Sequence, residues 1–295
     1  MTSSALDPRR HPYRGDLAAE ALRGLVAAPR YVTGELRQVV SGVAPLWSRP
    51  DASAGWASQA LYGELVTVYD ERDGLAWVQL ARDGYVGYVP AAALSLPAAA
   101  PTHTVAVPAT CVYAAPNAKA LTRLQLSLNA VVSVAEMGPG FAGLVGGGFV
   151  PAVHLAEIGA SATDFVAVAE RLIGTPYVWG GKTRQGLDCS GLVQTALHAA
   201  GREAPRDSDM QMAELGTPIE VPSDPGAPAP SSALERGDLV FWAGHVGILT
   251  DGVTLLHANA HHMAVTVEPL ARAAGRIALS GSPIAAIKRI APRVV

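Results

Sequence analysis

Three residues of this 295-residue chain combine into one chemistry: Cys189 in Asp188-Cys189-Ser190-Gly191, His245 in Gly244-His245-Val246-Gly247, and His257 in Leu255-Leu256-His257-Ala258. A cysteine nucleophile needs a base to take its proton and a third group to orient that base. Cys189, Leu192, Val193, Ala196, Leu197 and Ala200 recur at helical spacing, so Cys189 opens a helix that Gly201 ends. Free N–H groups and the positive dipole end at that position favour thiolate, and a thiol pKa lowered from about 8.5 to roughly 3.5–7.5 is expected. The N–H of Cys189 itself is available to a developing oxyanion. Taken singly, a free cysteine is most often a small buried hydrophobe. Cys111, in an apolar strand-like run, is read that way.

The two histidines need strands to bring them together. The runs Leu239 to Trp242, His245 to Thr250 and Val253 to His257 read as strands, and a tight turn at Asp251-Gly252 makes the last two antiparallel neighbours. The imidazoles of His245 and His257 then lie side by side, while His261 and His262 fall in the next turn and are expected to be exposed. Upstream, Thr163 is read as the N-cap of a helix through Phe165, Val168, Ala169 and Leu172, stopped by Gly174-Thr175-Pro176. Pro222 to Ala233 is a Pro/Ser-rich loop expected to be mobile. Helices first and antiparallel strands afterwards give an α+β layout for residues 161–295. A zinc site made from Cys189, His245 and His257 is the minor alternative; no metal or organic cofactor is expected.

The first half has a different texture. Residues 1–33 are read as a helical lead-in, with Leu17, Ala21, Leu25 and Ala28 on one helical face before Pro29. Residues 34–97 then alternate short β-branched and aromatic runs with Gly, Pro and Asp, and residues 102–158 repeat the pattern. Gln59 to Val68 matches Gln125 to Val134 at an offset of 66, and Tyr88-Val89-Pro90-Ala91 matches Phe149-Val150-Pro151-Ala152 at an offset of 61. Two small barrels joined by a Leu96 to Pro101 linker follow, and each resembles a bacterial SH3 domain.

Composition bounds the partners. Lys+Arg 22 against Asp+Glu 25 leaves a net charge of −3, so no basic surplus favours nucleic acid or an anionic membrane. A chain 49% hydrophobic and 16% charged has ample apolar surface to fold, and two cysteines make no disulfide framework. The N-terminal stretch shows no apolar run of the secretory kind, and no stretch nears the ~20 apolar residues of a membrane span, so a cytoplasmic monomer is expected.

The combination of motifs carries a resemblance. Gly174-Thr175-Pro176-Tyr177-Val178-Trp179-Gly180-Gly181, Leu187 to Val193, Pro205 to Gln211, Gly237 to Phe241 and Gly244 to Ile248 closely resemble the NlpC-type cell-wall peptidases. The resemblance implies a papain-like α+β cysteine peptidase domain with Cys189 as nucleophile, His245 as general base and acid, and His257 orienting His245. With SH3-like barrels in front, the chain is similar to γ-D-glutamyl-L-diamino acid endopeptidases. That similarity implies the stem peptide L-Ala-γ-D-Glu-diamino acid as partner and free murein peptides in cell-wall recycling as substrate. It makes Tyr177, Trp179, Asp188, Ser190 and Ser208 substrate-binding positions, and Glu64 and Tyr85 the contributions of the first barrel. An ammonium at the peptide's N-terminus would pair with Asp188, helped by Glu64. A related thiol amidase or acyltransferase on another amide, or a non-catalytic binder of wall fragments, are the alternatives.

Overall fold

The computed structural model describes residues 6–97, 99–219 and 234–291. The Pro222–Ala233 loop and Ala98 of the expected linker lie outside them. The chain divides into two compact units, Met1–Ala160 and Ser161–Val295.

In the first unit an antiparallel sheet runs in the order Leu94–Ser95, Glu35–Val39, Leu65–Arg72, Leu75–Leu80, Val86–Pro90. Val43–Leu46 pairs with Ser58–Leu61, and the Trp47–Tyr88 bridge ties this hairpin to the last strand. The alternating apolar residues of these strands face inward, with Val39, Leu46, Val66, Val78, Leu80 and Val89 fully buried. A second set repeats the order. Leu155–Glu157, His103–Val105 and Val131–Val132 form one sheet, and Val134–Met137, Phe141–Leu144, Phe149–Pro151, Ala109–Tyr113 and Thr122–Ser127 the other. The sets are fused: Leu61 of the first is buried in the core of the second with Val105, Leu126 and Val132, and Val131 N–H donates to the Tyr62 carbonyl at 3.0 Å.

The helical lead-in is corrected. Leu17–Ala19 is a buried strand between Tyr13–Arg14 and Tyr31–Val32, and Glu20–Leu22 forms a short 3₁₀ segment. The helical face would have packed Leu25, which is instead 69% exposed. A helix this short is marginal by itself, whereas strand partners satisfy the backbone directly: Ala18 N–H donates to Arg30 O at 3.0 Å and Ala19 N–H to Pro12 O at 2.8 Å.

The second unit is built on one antiparallel sheet in the order Thr217–Ile219, Ala286–Arg289, Leu239–Trp242, His245–Leu249, Thr254–Asn259, Ala264–Pro269. Helix α1 spans Phe165–Glu170, α2 Cys189–Ala199, α3 Ser208–Glu214 and α4 Leu270–Leu279. The cap of α1 is Asp164 rather than Thr163: its carboxylate accepts from Val166 and Ala167 N–H at 2.8 and 3.2 Å. A carboxylate at this position also meets the helix dipole, which a threonine hydroxyl does less well. Helix α4, which lies between the strands Ala264–Pro269 and Ala286–Arg289 rather than ahead of them all, covers Val240, Trp242, Leu249 and Leu255 with Leu270 and Ala273. The whole chain is therefore richer in strand, and its helices more dispersed, than an orderly α-then-β arrangement.

Candidate active site

Helix α2 starts where the sequence places it, because Asp188 caps it and Gly191 lets it approach a neighbouring loop. A Cβ at position 191 would come within 2.1 Å of Gly181 O. The Asp188 carboxylate accepts from Gly191 N–H at 2.6 Å, from Gly180 N–H at 2.8 Å, and from Arg206 Nη1 and Nη2 at 3.0 and 2.6 Å. Both partners are buried, Arg206 to 1% exposure and Asp188 to 5%. Arg206 Nη1 also donates to Ser190 Oγ at 3.0 Å, and Gln211 of α3 donates to Ser190 O at 3.0 Å, so α3 is pinned to the start of α2.

Cys189 is buried at this start, and the Val246 N–H of the adjoining strand is directed at its sulfur together with the Ser190 N–H. Burial pushes the Cys189 thiol up to about 12, and the neighbouring Asp188 carboxylate acts in the same direction against those N–H groups and Arg206. The expectation of a lowered thiol pKa is thereby reversed. The positive helix end that was to favour thiolate is already met by the capping carboxylate of Asp188.

The histidine pair forms as expected. His245–Leu249 and Thr254–Asn259 are antiparallel neighbours, and the loop between them is closed by Asp251 Oδ1, which accepts from Val253 and Thr254 N–H at 2.8 and 2.7 Å. His245 Nε2 lies 2.9 Å from His257 Nδ1, the rings meeting edge to face. Gly247 keeps this face open, since a Cβ there would reach 2.7 Å from Leu255 Cδ1 and 3.1 Å from His257 Cβ. Burial lowers His245 to about 3, with the charges of His257 and Arg276 assisting, and burial lowers His257 to about 4. The resting site is a neutral thiol beside two neutral imidazoles.

Beyond the pair, His257 Nε2 lies 3.0 Å from Glu268 Oε1. Arg276 of α4 donates Nη1 to Glu268 Oε2 at 2.8 Å and Nη2 to Oε1 at 2.5 Å, and this pairing holds the carboxyl down to about 2. Among the described residues one group has metal-ligating spacing: His257, His262 and Glu268, with donor atoms within 4.8 Å of one another. Glu268 is already engaged by Arg276, and the set differs from the zinc alternative of Cys189, His245 and His257.

The other expected residues are placed as follows. Tyr177 bridges to Leu187, beside the start of α2, and burial pushes its hydroxyl up to about 12, with the Cys189 and Asp188 charges assisting. Trp179 stands 66% exposed on the same loop, Ser190 is buried on α2, and Ser208 opens α3. His261 and His262 are exposed in their turn, as expected. In the first unit, Glu64 Oε2 accepts from Leu61 N–H at 2.7 Å, and Tyr85 packs into the core of the first strand set. Cys111 lies half-buried in the strand Ala109–Tyr113. Reasoning from sequence missed Arg206, Glu268 and Arg276. Arg206 lies within Pro205 to Gln211, where residue type alone points to no partner. Glu268 and Arg276 gave no signal, because their partnership with His257 exists only once three separate segments are folded together.

Comparison with known proteins fits this geometry. Residues 174–275 match the NlpC/P60 family and residues 46–94 the bacterial dipeptidyl-peptidase SH3 domain. A Corynebacterium glutamicum protein named probable endopeptidase is 36% identical over 111 residues, 37% of this chain and 48% of its own. A Bacillus subtilis γ-D-glutamyl-L-lysine dipeptidyl-peptidase is 30% identical over 116 residues, 36% of this chain and 35% of its own. This chain thus spans at most about half the length of these curated relatives. The crystal structure of an NlpC/P60 family protein from Bacillus cereus superposes with a TM-score of 0.72 at 21% identity, covering 88% of this chain and 100% of that one. The shared fold is an NlpC/P60 domain accompanied by an SH3-type domain.

Proposed function

We propose that this chain, a member of the NlpC/P60 cysteine peptidase family through residues 174–275, hydrolyses the γ-D-glutamyl–diamino acid bond of murein stem peptides. The observation that carries the reading is the buried Cys189 thiol at the start of α2, against the neighbouring strands that supply the hydrogen-bonded pair His245 and His257 at 2.9 Å. Cys189 Sγ attacks the carbonyl carbon while its proton passes to His245. The carbonyl oxygen becomes an oxyanion that can take the N–H of Cys189 and the Tyr177 hydroxyl, which remains a donor because its pKa is raised. Collapse breaks the C–N bond, His245 returns the proton to the leaving amine, and an acyl-enzyme remains. Water, giving a proton to His245, then releases the acid and regenerates the thiol. Neutral thiol and neutral imidazole are the right starting states for this sequence, since the proton moves only as the S–C bond forms.

The γ-D-glutamyl specificity draws support from the Bacillus subtilis relative's name, which specifies a γ-D-glutamyl-L-lysine bond for that protein. The strand order repeated in residues 103–157 favours a second SH3-type barrel after the first. Free tripeptides, rather than intact wall, come first as substrate in this reading, in keeping with a recycling role. All four acceptor directions of Asp188 are used within its own unit, so a substrate ammonium must share that carboxylate with Arg206. Ser190 and Ser208 flank the same corner as polar contacts, and Glu64 and Tyr85 are the first barrel's contributions to substrate binding in this reading.

The test uses L-Ala-γ-D-Glu peptides carrying L-lysine or meso-diaminopimelate, with products read by mass spectrometry. The expected products are the L-Ala-γ-D-Glu dipeptide and the diamino acid, with cleavage abolished in Cys189→Ala at unchanged thermal stability. Retained cleavage in that variant overturns the mechanism. Equal cleavage of N-acetylated peptide overturns the ammonium contact alone.

A further inference from the structure

We infer that Glu268, clamped by Arg276, is a positioning residue of this hydrolysis: it fixes the tautomer of His257, and through it leaves the lone pair of His245 on Nδ1 as the base. The inference rests on the peptidase reading for its consequence in turnover, and on hydrogen-bond geometry alone for the tautomers.

The strand Ala264–Pro269 pairs with the strand of His257 in the register Leu255 to Glu268 and His257 to Thr266. Glu268 therefore sits diagonally from His257 on the same face, and its Oε1 lies 3.0 Å from His257 Nε2. Two guanidinium N–H groups of Arg276 hold both oxygens of Glu268, at 2.8 and 2.5 Å. A carboxylate held this way is an anion and can only accept. His257 Nε2 must then carry a proton, which leaves the lone pair of neutral His257 on Nδ1. That atom is 2.9 Å from His245 Nε2, so His245 must donate from Nε2. Neutral His245 has one nitrogen left, Nδ1, and it is unprotonated. Three hydrogen bonds thus admit one arrangement of protons, and it is the one that supplies a base.

The same contacts act during the reaction. When the Cys189 S–H bond breaks and an N–H bond forms at His245 Nδ1, the new imidazolium donates to His257, which remains anchored to an anion. Glu268 touches neither substrate nor thiol, so its effect runs wholly through the two rings. The other titratable group facing it is His262, whose Nδ1 is 4.0 Å from Oε1 and exposed. Arg276 on α4 supplies the compensating charge that lets an anion persist at 7% exposure beside fully buried His257.

Glu268→Gln tests this role, with thermal melting measured alongside to report the fastening of α4 to the sheet. Glutamine keeps the size but not the charge: an NH₂ group at the Oε1 position meets both His257 Nε2 and Arg276 Nη2, and one at the Oε2 position meets Arg276 Nη1, so no orientation keeps the full clamp and the anion beside His257 is lost. The neutral amide no longer fixes the proton of His257 on Nε2, and the His257 molecules protonated on Nδ1 oppose the Nε2–H of His245, so the population holding the base falls. The expected result is a kcat lower by about 10²- to 10⁴-fold at nearly unchanged KM, as when the orienting carboxylate of a Ser-His-Asp triad becomes an amide. Glu268→Asp, which keeps the anion, should recover part of that loss. Proton–nitrogen correlation NMR on the Cys189→Ala protein should find His257 protonated on Nε2, with a population protonated on Nδ1 emerging when Glu268→Gln is added. A folded Glu268→Gln enzyme with wild-type kcat overturns the proposal, as does His257 protonated on Nδ1 without that substitution. The second measurement needs neither a substrate nor a foldable Glu268→Gln variant, so it decides the tautomers even if the stem peptide proves the wrong substrate.

Discussion

At the scale of single residues, Asp188 serves two opposed purposes. Its carboxylate caps α2 and so positions Cys189, yet its charge makes the adjacent thiol harder to ionise. Arg206 reconciles them by neutralising the carboxylate from within. Arg206→Met should leave Asp188 buried without its ion partner and destabilise the second unit by roughly 3–5 kcal/mol, measured by chemical denaturation. A loss below about 1 kcal/mol would mean that the two backbone N–H groups suffice to hold the charge. The raised thiol also has a direct readout. Because Cys189 is pushed up and His245 down, little thiolate exists near neutrality, and alkylation by iodoacetamide should accelerate steadily as pH rises from about 7 to about 9. A flat rate reached already below about pH 6 would instead reveal a preformed thiolate–imidazolium pair.

At the scale of elements, the histidine strands work because one residue between them has no side chain. Gly247→Ala places a methyl against Leu255 and the Cβ of His257, a packed interior with little room to yield. Overpacking of this kind costs about 1–3 kcal/mol. Its effect on turnover should be the larger one, because the strands must separate or His257 must turn, and either change lengthens the 2.9 Å contact to His245. Thermal melting alongside kcat checks this, and a variant that melts early but turns over normally would contradict it. The same strands show why the site was partly legible. Trp242-Ala243-Gly244-His245 and Asp251-Gly252 are local turn signals, and they place two histidines on neighbouring strands before any tertiary contact is considered. The strand of Glu268 follows a less conspicuous turn, and the arginine that makes Glu268 an anion comes from the next helix.

At the scale of the molecule, the buried imidazoles couple folding to pH. His245 and His257 sit at about 3 and about 4, below the ordinary 6.5, so between roughly pH 6.5 and 4 the unfolded chain binds protons that the native chain refuses. Their contribution to stability is complete above that window and falls as the pH drops through it, by roughly 3 kcal/mol for His257 alone. Glu268, lowered to about 2, loses its contribution only as pH falls below about 4.5. Denaturation of the second unit should therefore become easier between about pH 6.5 and 4.5, and His257→Gln should flatten the slope. An unchanged slope in that variant would place the proton uptake elsewhere. In the first unit, the fused core around Leu61 makes the two strand sets one body. The sequence repeat announced two sets of strands, but nothing in it announced that Leu61 of one would be buried in the other.

What the sequence determined by itself was local and periodic. Helix α2 with Cys189 at its start, the paired histidine strands and the duplicated strand pattern all follow from spacing, capping and turn residues, which act over a few positions. Where local signals were weak or competed, tertiary partners chose: Leu17–Ala19 became a strand because neighbouring backbone was there to pair with it. The electrostatics of the site were decided by the fold alone. A helix end and a cysteine suggest a thiolate, but burial and the Asp188 carboxylate reverse that. Solvation and charge depend on what surrounds a group in space, and Arg206, Glu268 and Arg276 reach the centre from segments that only folding brings together.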